Sequence, residues 1–316
     1  MQEPSKPARP NPSWRTPCEM STDRVVQPLV ACLGNPVAGN PTQFVMSRIA
    51  REAELDWRFF TSEVAPEQFE TAFRGVQALG MAGMAILEPF QEQAADFLDS
   101  ISEAASRMGR VSVARQEGDR WIGDHTLGAA LIRLLQAKLS GSPLREDGTM
   151  SPQSIAVWGP SQTVQLIEGL LPALDGDFIA LACGEHGEAS SVPPSDGEPS
   201  ASGNAQVVTL EELASLERPV RVLVLDFPAS QRIARPKTIA KRLQQIAWAT
   251  SPVVVCTQGR RQLDDEAFDW LKGRDVCIAE ELELMSYRAA ADFHFWTGIE
   301  PSMEWIREAL EEYLQW

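Results

Sequence analysis

Short apolar runs alternate with amphipathic segments along most of the chain. In the first half, apolar runs at 29–33, 57–60 and 81–87 are each followed by a segment of helical character. A short apolar run that ends in turn residues is typical of a buried strand, whereas apolar positions three and four residues apart indicate a helix. This pattern predicts alternating strands and helices, including one long amphipathic helix over 90–108.

The second half repeats the alternation. A hairpin is predicted over 111–122, and the helix that follows ends near 139 in Ser-Gly-Ser-Pro, which is typical of a domain boundary. Further strands are expected at 155–158, 178–182, 220–225 and 253–256, with closing helices at 280–296 and 303–313. Helices alternating with strands imply a mainly parallel sheet covered on both faces, and the strand, turn and helix from residue 154 resemble the opening of a Rossmann unit.

The predicted fold class is α/β, with two domains and a cleft between them, because 316 residues are enough for two cores of ordinary size. Proline-rich, polar and boundary segments divide the chain into five predicted parts. These are a disordered proline-rich tail (1–24), an N-terminal α/β domain (25–125), a connecting helix and linker (126–150), a Rossmann-like domain with a mobile loop at 184–204 (151–279), and closing helices (280–316).

Composition and charge exclude several classes of function. The net charge of −16 repels phosphate backbones and argues against nucleic acid as a partner. No apolar run is long enough to span a membrane, and five cysteines without a CxxC pair indicate a reducing, cytoplasmic setting. Three scattered histidines favour no metal site. The sequence carries no interface signal and leaves the oligomeric state open.

Four segments lie in the order and spacing found in shikimate dehydrogenases. They are Gly34-Asn35-Pro36-Val37-Ala38, the segment 83–90, Gly123-Asp124-His125-Thr126-Leu127-Gly128, and Phe293-His294-Phe295-Trp296-Thr297-Gly298 followed by Pro301. The resemblance implies a substrate domain, an NADP-binding Rossmann domain and an active site between them. It also implies the family reaction, the NADP-dependent interconversion of 3-dehydroshikimate and shikimate in aromatic amino acid biosynthesis, with a lysine and an aspartate that handle the proton.

Both proton-handling residues of the family are replaced in this chain. Gln91 stands at the lysine position and Leu127 at the aspartate position, so the resemblance identifies no catalytic residue here. An amide can orient a hydroxyl group but cannot accept its proton near neutral pH. Two substrate-binding positions of the family hold Ala85 and Leu87, which offer no side-chain hydrogen bond.

Other polar residues at the family's site positions remain candidates for the lining of a cleft. They are Asn40, Thr42, Gln91, Ser112, His125 and Arg288. His125 is either a substitute base, because an unperturbed imidazole titrates near neutrality, or a polar residue that caps the following helix. Arg288 is either a bidentate holder of a ligand carboxylate or an ordinary arginine on a helix surface.

The phosphate turn of the predicted Rossmann domain is degenerate. Where the family has several glycines, this chain reads Gly159-Pro160-Ser161-Gln162-Thr163. Proline removes a donor, and the added side chains occupy space that the backbone needs to approach a pyrophosphate. No lysine or arginine lies between Arg145 and Arg218, whereas a 2′-phosphate needs a cation there. We therefore expect no cofactor: NADP is implied by the resemblance alone, and NAD fits little better.

Three hypotheses follow from these substitutions. The first is a catalytically silent relative, a pseudoenzyme on the family fold. The second is an enzyme or sensor that takes a different small acidic metabolite, and the third is an interaction scaffold that uses the tail or the loop. A cleft that is open and polar around Asn40, Gln91 and Arg288 would favour ligand binding, whereas one filled by Leu87, Leu127 and Trp158 would leave only the first.

Overall fold

Two six-stranded sheets form the centres of the two predicted domains. The computed structural model describes residues 27–139, 153–174, 178–184, 206–209, 218–226, 239–257, 263–279 and 281–315. The predicted tail at 1–24, and all but the first residue of the predicted loop at 184–204, lie outside the described residues. The α/β fold class with two domains is confirmed.

The N-terminal sheet is mixed and has the strand order β2-β1-β3-β5-β6-β4. Its strands are β1 (Leu29–Gly34), β2 (Arg58–Glu63), β3 (Gly83–Ile86), β4 (Ser100–Ile101), β5 (Val113–Glu117) and β6 (Arg120–Asp124). β1 pairs in parallel with β2 and β3, and β3 pairs antiparallel with β5. The hairpin of β5 and β6 turns at Gly118, whose φ of 63° suits glycine. The hairpin prediction is confirmed.

The helices of this domain are α1 (Thr42–Glu52), α2 (Phe69–Ala78) and α3 (Glu103–Met108). The prediction of one helix over 90–108 is wrong, because that segment contains a 3-10 helix (Gln93–Phe97), then β4, then α3. Two side chains explain the break. Asp99 accepts a hydrogen bond from the backbone N–H of Trp121 at 2.6 Å and ties the chain to β6, and Ser102 caps α3 by accepting from Ala105 N at 3.1 Å.

The C-terminal sheet is parallel throughout and has the order β12-β11-β10-β7-β8-β9. Its strands are β7 (Gln153–Trp158), β8 (Phe178–Gly184), β9 (Gln206–Thr209), β10 (Val220–Leu225), β11 (Trp248–Cys256) and β12 (Cys277–Ala279); its helices are α4 (Leu127–Leu139), α5 (Ser161–Leu170), α6 (Ile239–Leu243) and α7 (Asp265–Lys272). This is the doubly wound order of a Rossmann domain, which binds ligands where the strand order reverses, here between β7 and β10. The short edge strands β9 and β12 were not predicted.

The closing helices α8 (Glu281–Thr297) and α9 (Met303–Leu314) confirm the prediction made for this segment. Leu284 of α8 packs in the core shared with the C-terminal sheet, while Phe293 packs in the core of the N-terminal domain. Trp296 fixes the far end of α8, because its indole N–H donates to the Ala114 carbonyl at 3.1 Å and its ring lies against Gly83. Helix α8 therefore forms one wall of the cleft between the domains.

Within the described ranges, no helix has the length and apolar character that crossing a membrane requires.

Candidate functional site

Two cavities meet in the cleft and share Gln91 and Arg288 in their walls. The inner cavity, of about 170 Å³, lies against the N-terminal domain, and its polar lining residues are Asn40, Thr42, Gln91, Ser112, Arg288 and Asp292. The Rossmann-side cavity, of about 390 Å³, extends to Pro160, Gln162, Thr163 and Asp226. Leu87 lines the inner cavity and Leu127 the Rossmann-side cavity, and neither fills its space. The Rossmann-side cavity is mainly polar, whereas the polar residues of the inner cavity lie among a majority of apolar ones.

The predicted cleft residues come together as the sequence indicates. Asn40, which precedes α1, accepts a hydrogen bond through Oδ1 from the backbone N–H of Thr42 at 3.0 Å. The Tyr313 hydroxyl donates to the Asn40 carbonyl at 3.1 Å and holds this turn against α9. Of the six candidates, only His125 lies outside the inner cavity, in the wall of the Rossmann-side cavity.

Gln91 is held by the backbone of the strand that precedes it. Its side chain is 9% exposed, and its amide N–H donates to the Ile86 carbonyl at 3.0 Å. This bond satisfies one donor of the amide and orients the group at the junction of the two cavities. The position that carries a lysine in the resembling family is thus occupied by a buried, neutral and fixed side chain.

His125 does not have the properties of a general base near neutral pH. The ring is 4% exposed, and its Nδ1 atom has no hydrogen-bond partner in the described part of the chain. Burial, together with the positive charges of Arg288 and Arg110, lowers the pKa of His125 from 6.5 to about 3. The imidazole is therefore neutral near pH 7, which differs from the near-neutral titration expected of an unperturbed histidine.

The alternative reading of His125 as a helix cap is also not seen. Among the described residues, its ring makes no hydrogen bond to the first turn of α4, and Nδ1 is left without a partner. Its backbone N–H instead donates to the Asp124 carboxylate at 2.7 Å. The ring therefore keeps one buried nitrogen without a hydrogen-bond partner among the described residues, at a position that lines the Rossmann-side cavity.

Asp292 is a site residue that the sequence reasoning missed. Its Oδ1 atom accepts a hydrogen bond from the Thr126 hydroxyl at 2.6 Å, and the Ser112 hydroxyl lies 3.3 Å from that of Thr126. Burial raises the pKa of the Asp292 carboxyl from 3.8 to about 6, although Arg288 and the Thr126 hydrogen bond act in the opposite direction. A carboxylate placed one helical turn after Arg288, in an otherwise alanine-rich segment, was the signal available in the sequence.

Arg288 is half-buried and lines both cavities. Its charge acts on Asp292 and on His125, but its guanidinium forms no ion pair or hydrogen bond within the part of the chain that the structure describes. Arg110, the other arginine of the Rossmann-side cavity, is paired with Glu88 at 3.1 Å and Glu92 at 3.5 Å. Arg288 is therefore the cation with capacity left to bind an anion.

The turn from β7 to α5 does not fit a dinucleotide. Pro160 is the N-cap of α5 and supplies no N–H, and a Cβ atom on Gly159 would lie 2.6 Å from the Asp226 carbonyl oxygen. The Thr163 and Thr257 hydroxyls donate to the two carboxylate oxygens of Asp226, each at 2.5 Å. Gly159 and Thr163 thus serve the packing of the turn.

The charge at this turn also opposes phosphates. Asp226, 5% exposed, follows β10 at the point where the strand order reverses, and it lines the cavity in which a pyrophosphate would lie. Gln162 lines the same cavity, while Ser161 begins α5. In the part of the chain that the structure describes, the residues of this turn do not fit the pyrophosphate of NADP or NAD.

Comparison with known proteins identifies the relatives of this chain. The profile of the shikimate dehydrogenase substrate binding domain matches residues 32–113. The NADP-dependent shikimate dehydrogenase of Bacillus licheniformis is 23% identical over 290 residues, which cover 92% of this chain and 98% of that protein. The enzyme of the same name from Aeromonas hydrophila is 33% identical over 105 residues, but the match spans only 33% of this chain and 38% of that protein.

Solved structures with the same fold include enzymes with different substrates. Shikimate dehydrogenase from Aquifex aeolicus superposes with a TM-score of 0.69 at 18% identity, covering 90% of this chain and 97% of that one. The ligand-free 5-ketofructose reductase of a Gluconobacter strain gives 0.68 at 18% identity, covering 91% and 99%. The domain match and the full-length relative show that this chain is similar to shikimate dehydrogenases, and the solved structures show that it shares their two-domain fold.

Proposed function

We propose that this protein has lost the NADP-dependent interconversion of 3-dehydroshikimate and shikimate and that it binds a small organic acid in the inner cavity. The observation that carries the proposal is the arrangement at the junction of the two cavities. There the neutral Gln91 replaces the family's lysine, beside Arg288, a cation without a partner among the described residues.

The loss of shikimate oxidation is argued from two sides. Oxidation of an alcohol needs a group that accepts its proton, and neither Gln91, Leu127 nor the weakly basic His125 serves that role near neutral pH. It also needs a hydride acceptor, and a turn that begins with Pro160 beside the Asp226 carboxylate is a poor site for a nicotinamide dinucleotide. Asp292 could accept a proton, but it does not supply the missing cofactor site.

Ligand binding is argued from the space and the charge that remain. The inner cavity joins a half-buried guanidinium to hydrogen-bonding groups on Asn40, Thr42 and Ser112. A planar guanidinium is suited to bidentate binding of a carboxylate, and a partly buried site strengthens that contact. A cavity that stays open and places these polar groups among apolar walls favours a small organic acid as its ligand over a cleft that has no ligand.

Calorimetric titration with NADP and NADPH tests the first part of the proposal. The Bacillus licheniformis relative serves as the positive control, and shikimate oxidation is followed in parallel through the absorbance of NADPH. We expect neither heat of binding nor turnover from this protein. Micromolar binding of either nucleotide, or turnover of shikimate, would contradict the proposal.

The second part is tested by thermal shift with a panel of small carboxylic acids. At least one should raise the melting temperature, because a ligand that binds only the folded state stabilises it. Arg288→Gln should abolish that shift. Arg307→Gln, a change at an exposed arginine of α9, should leave it intact and is the matched control. A shift that survives Arg288→Gln would place the ligand elsewhere.

A further inference from the structure

Two opposite charges line the inner cavity one helical turn apart on α8. Arg288 has no hydrogen bond or ion pair in the described part of the chain, and it attracts Asp292 without pairing with it. Asp292 uses Oδ1 to accept from Thr126, and its other carboxylate oxygen has no partner among the described residues. The cavity therefore offers one open cationic group and one open anionic oxygen side by side.

The charge of the Asp292 carboxylate is compensated only in part, by the attraction of Arg288 and by the Thr126 hydrogen bond. Burial disfavours its ionised form, and the negative charge of Asp124 adds to that effect. The Thr126 hydroxyl donates a single hydrogen bond, and the cavity that Asp292 lines also has apolar side chains such as Met285 and Leu310 in its wall. A charge in such a place is stabilised most by an opposite charge brought close to it.

These charges discriminate between classes of small acid. A ligand that carries only a carboxylate gains from Arg288 but is repelled by Asp292 on the same wall. A hydroxy acid offers Asp292 one neutral hydrogen bond, whereas an ammonium group offers a charge-assisted one, which is about twice as strong. A zwitterion matches both side chains at once.

We propose that the inner cavity recognises a small zwitterion of the amino acid class, whose carboxylate binds Arg288 and whose ammonium group binds Asp292. This inference rests on the proposed function, since it names the class of organic acid that the cleft takes. Thr126 is a positioning residue in this arrangement, because it holds Oδ1 and leaves the other oxygen of Asp292 to the ligand.

The test compares matched probes by thermal shift and calorimetry. Alanine, valine, leucine, methionine and phenylalanine are each paired with the 2-hydroxy acid and with the amine that share its side chain. We expect at least one amino acid to bind about tenfold or more tightly than both of its analogues, since each analogue loses one of the two charge-assisted contacts.

Two variants test which side chain binds which charged group of the ligand. Asp292→Asn keeps an acceptor for Thr126 and should remove the preference for the amino acid over its 2-hydroxy analogue, while Arg288→Gln should weaken both. Asp119→Asn, at an exposed turn, is the matched control for the loss of a carboxylate. It should change neither the affinity for the amino acid nor that for its 2-hydroxy analogue.

The outcomes separate this inference from the function on which it rests. If a 2-hydroxy acid binds as tightly as its amino acid, the inference that the cavity recognises a zwitterion is overturned. The proposal that the cavity binds a small organic acid would still stand. Failure of every amino acid probe would also overturn the inference. Micromolar binding of NADP or NADPH would instead contradict the proposed function.

Discussion

Replacing Asp292 with asparagine should stabilise the protein at neutral pH and leave it unchanged in acid. Burial raises the pKa of this carboxyl from 3.8 to about 6, so the folded state keeps its proton over a pH range in which the unfolded chain has lost it. The free energy of unfolding therefore falls as pH rises from about 4 to about 6, because the folded state binds more protons there. Asparagine carries no charge at any pH and removes this dependence.

The size of the effect follows from the same pKa. A rise from 3.8 to about 6 corresponds to about 3 kcal/mol, and the access of water from the cleft reduces this to about 2 kcal/mol. Above about pH 7, Asp292→Asn should be more stable than the wild type by this amount. The difference should be small near pH 4 and should vanish well below pH 3.8, where this side chain is neutral in both the folded and the unfolded chain.

His125 makes the comparison between variant and wild type necessary. Burial lowers the pKa of His125 from 6.5 to about 3, so its contribution to stability is present above pH 6.5 and is lost as pH falls toward 3. The two groups therefore act in opposite directions over nearly the same range. The contribution of His125 cancels when the free energy of unfolding of the wild type is subtracted from that of Asp292→Asn at each pH. The difference that remains is the effect of Asp292.

The assay is equilibrium unfolding in urea at several pH values between about 4 and 8, with Asp119→Asn as the control for a carboxylate exposed to solvent. A stability difference between Asp292→Asn and the wild type that stays constant over this range would refute the reasoning. So would a variant that is less stable at neutral pH.

Three further changes test other parts of the site. His125→Leu should raise stability at pH 7 by about 1–2 kcal/mol, because it removes a buried nitrogen without a partner; a lower melting temperature would contradict this. Gly159→Ala should lower stability by about 1–3 kcal/mol, because its Cβ would meet the Asp226 carbonyl at 2.6 Å, and an unchanged melting curve would count against this close approach. The double change Gln91→Lys with Leu127→Asp should yield no NADPH from shikimate and NADP, since the cofactor turn is unchanged; measurable turnover would show that this turn binds the cofactor and would contradict the prediction.

The sequence predicted the fold well where strands are long and buried. The strands β7 and β10 are apolar along most of their length, so their pattern is unambiguous, whereas β9 and β12 have only four and three residues and leave almost no periodic signal. The error over 90–108 has a different cause. The amphipathic spacing there is real, but Asp99 uses its carboxylate to bind β6, and periodicity does not report a contact of that kind.

The sequence predicted the site residues that stand at positions of a recognised family motif. Asn40, Gln91 and Arg288 were identified through family positions, and all three line the inner cavity. Asp292 and Asp226 were missed because each matters through a partner distant in sequence, Thr126 in one case and Thr163 in the other. Burial and hydrogen bonding change the chemistry of such carboxylates, and neither can be read from a single sequence.

Arg288 and Asp292 both lie on α8, so the spacing between their backbone positions is set by the geometry of a single helix. Four residues of α-helix rise about 6 Å, and this spacing does not depend on the angle between the two domains. The same helix enters both cores, through Leu284 at one end and Phe293 at the other. A hinge motion between the domains would thus alter how a ligand enters the cleft. It would not change the spacing of the two helix positions, Arg288 and Asp292, that bind the charged groups of the ligand.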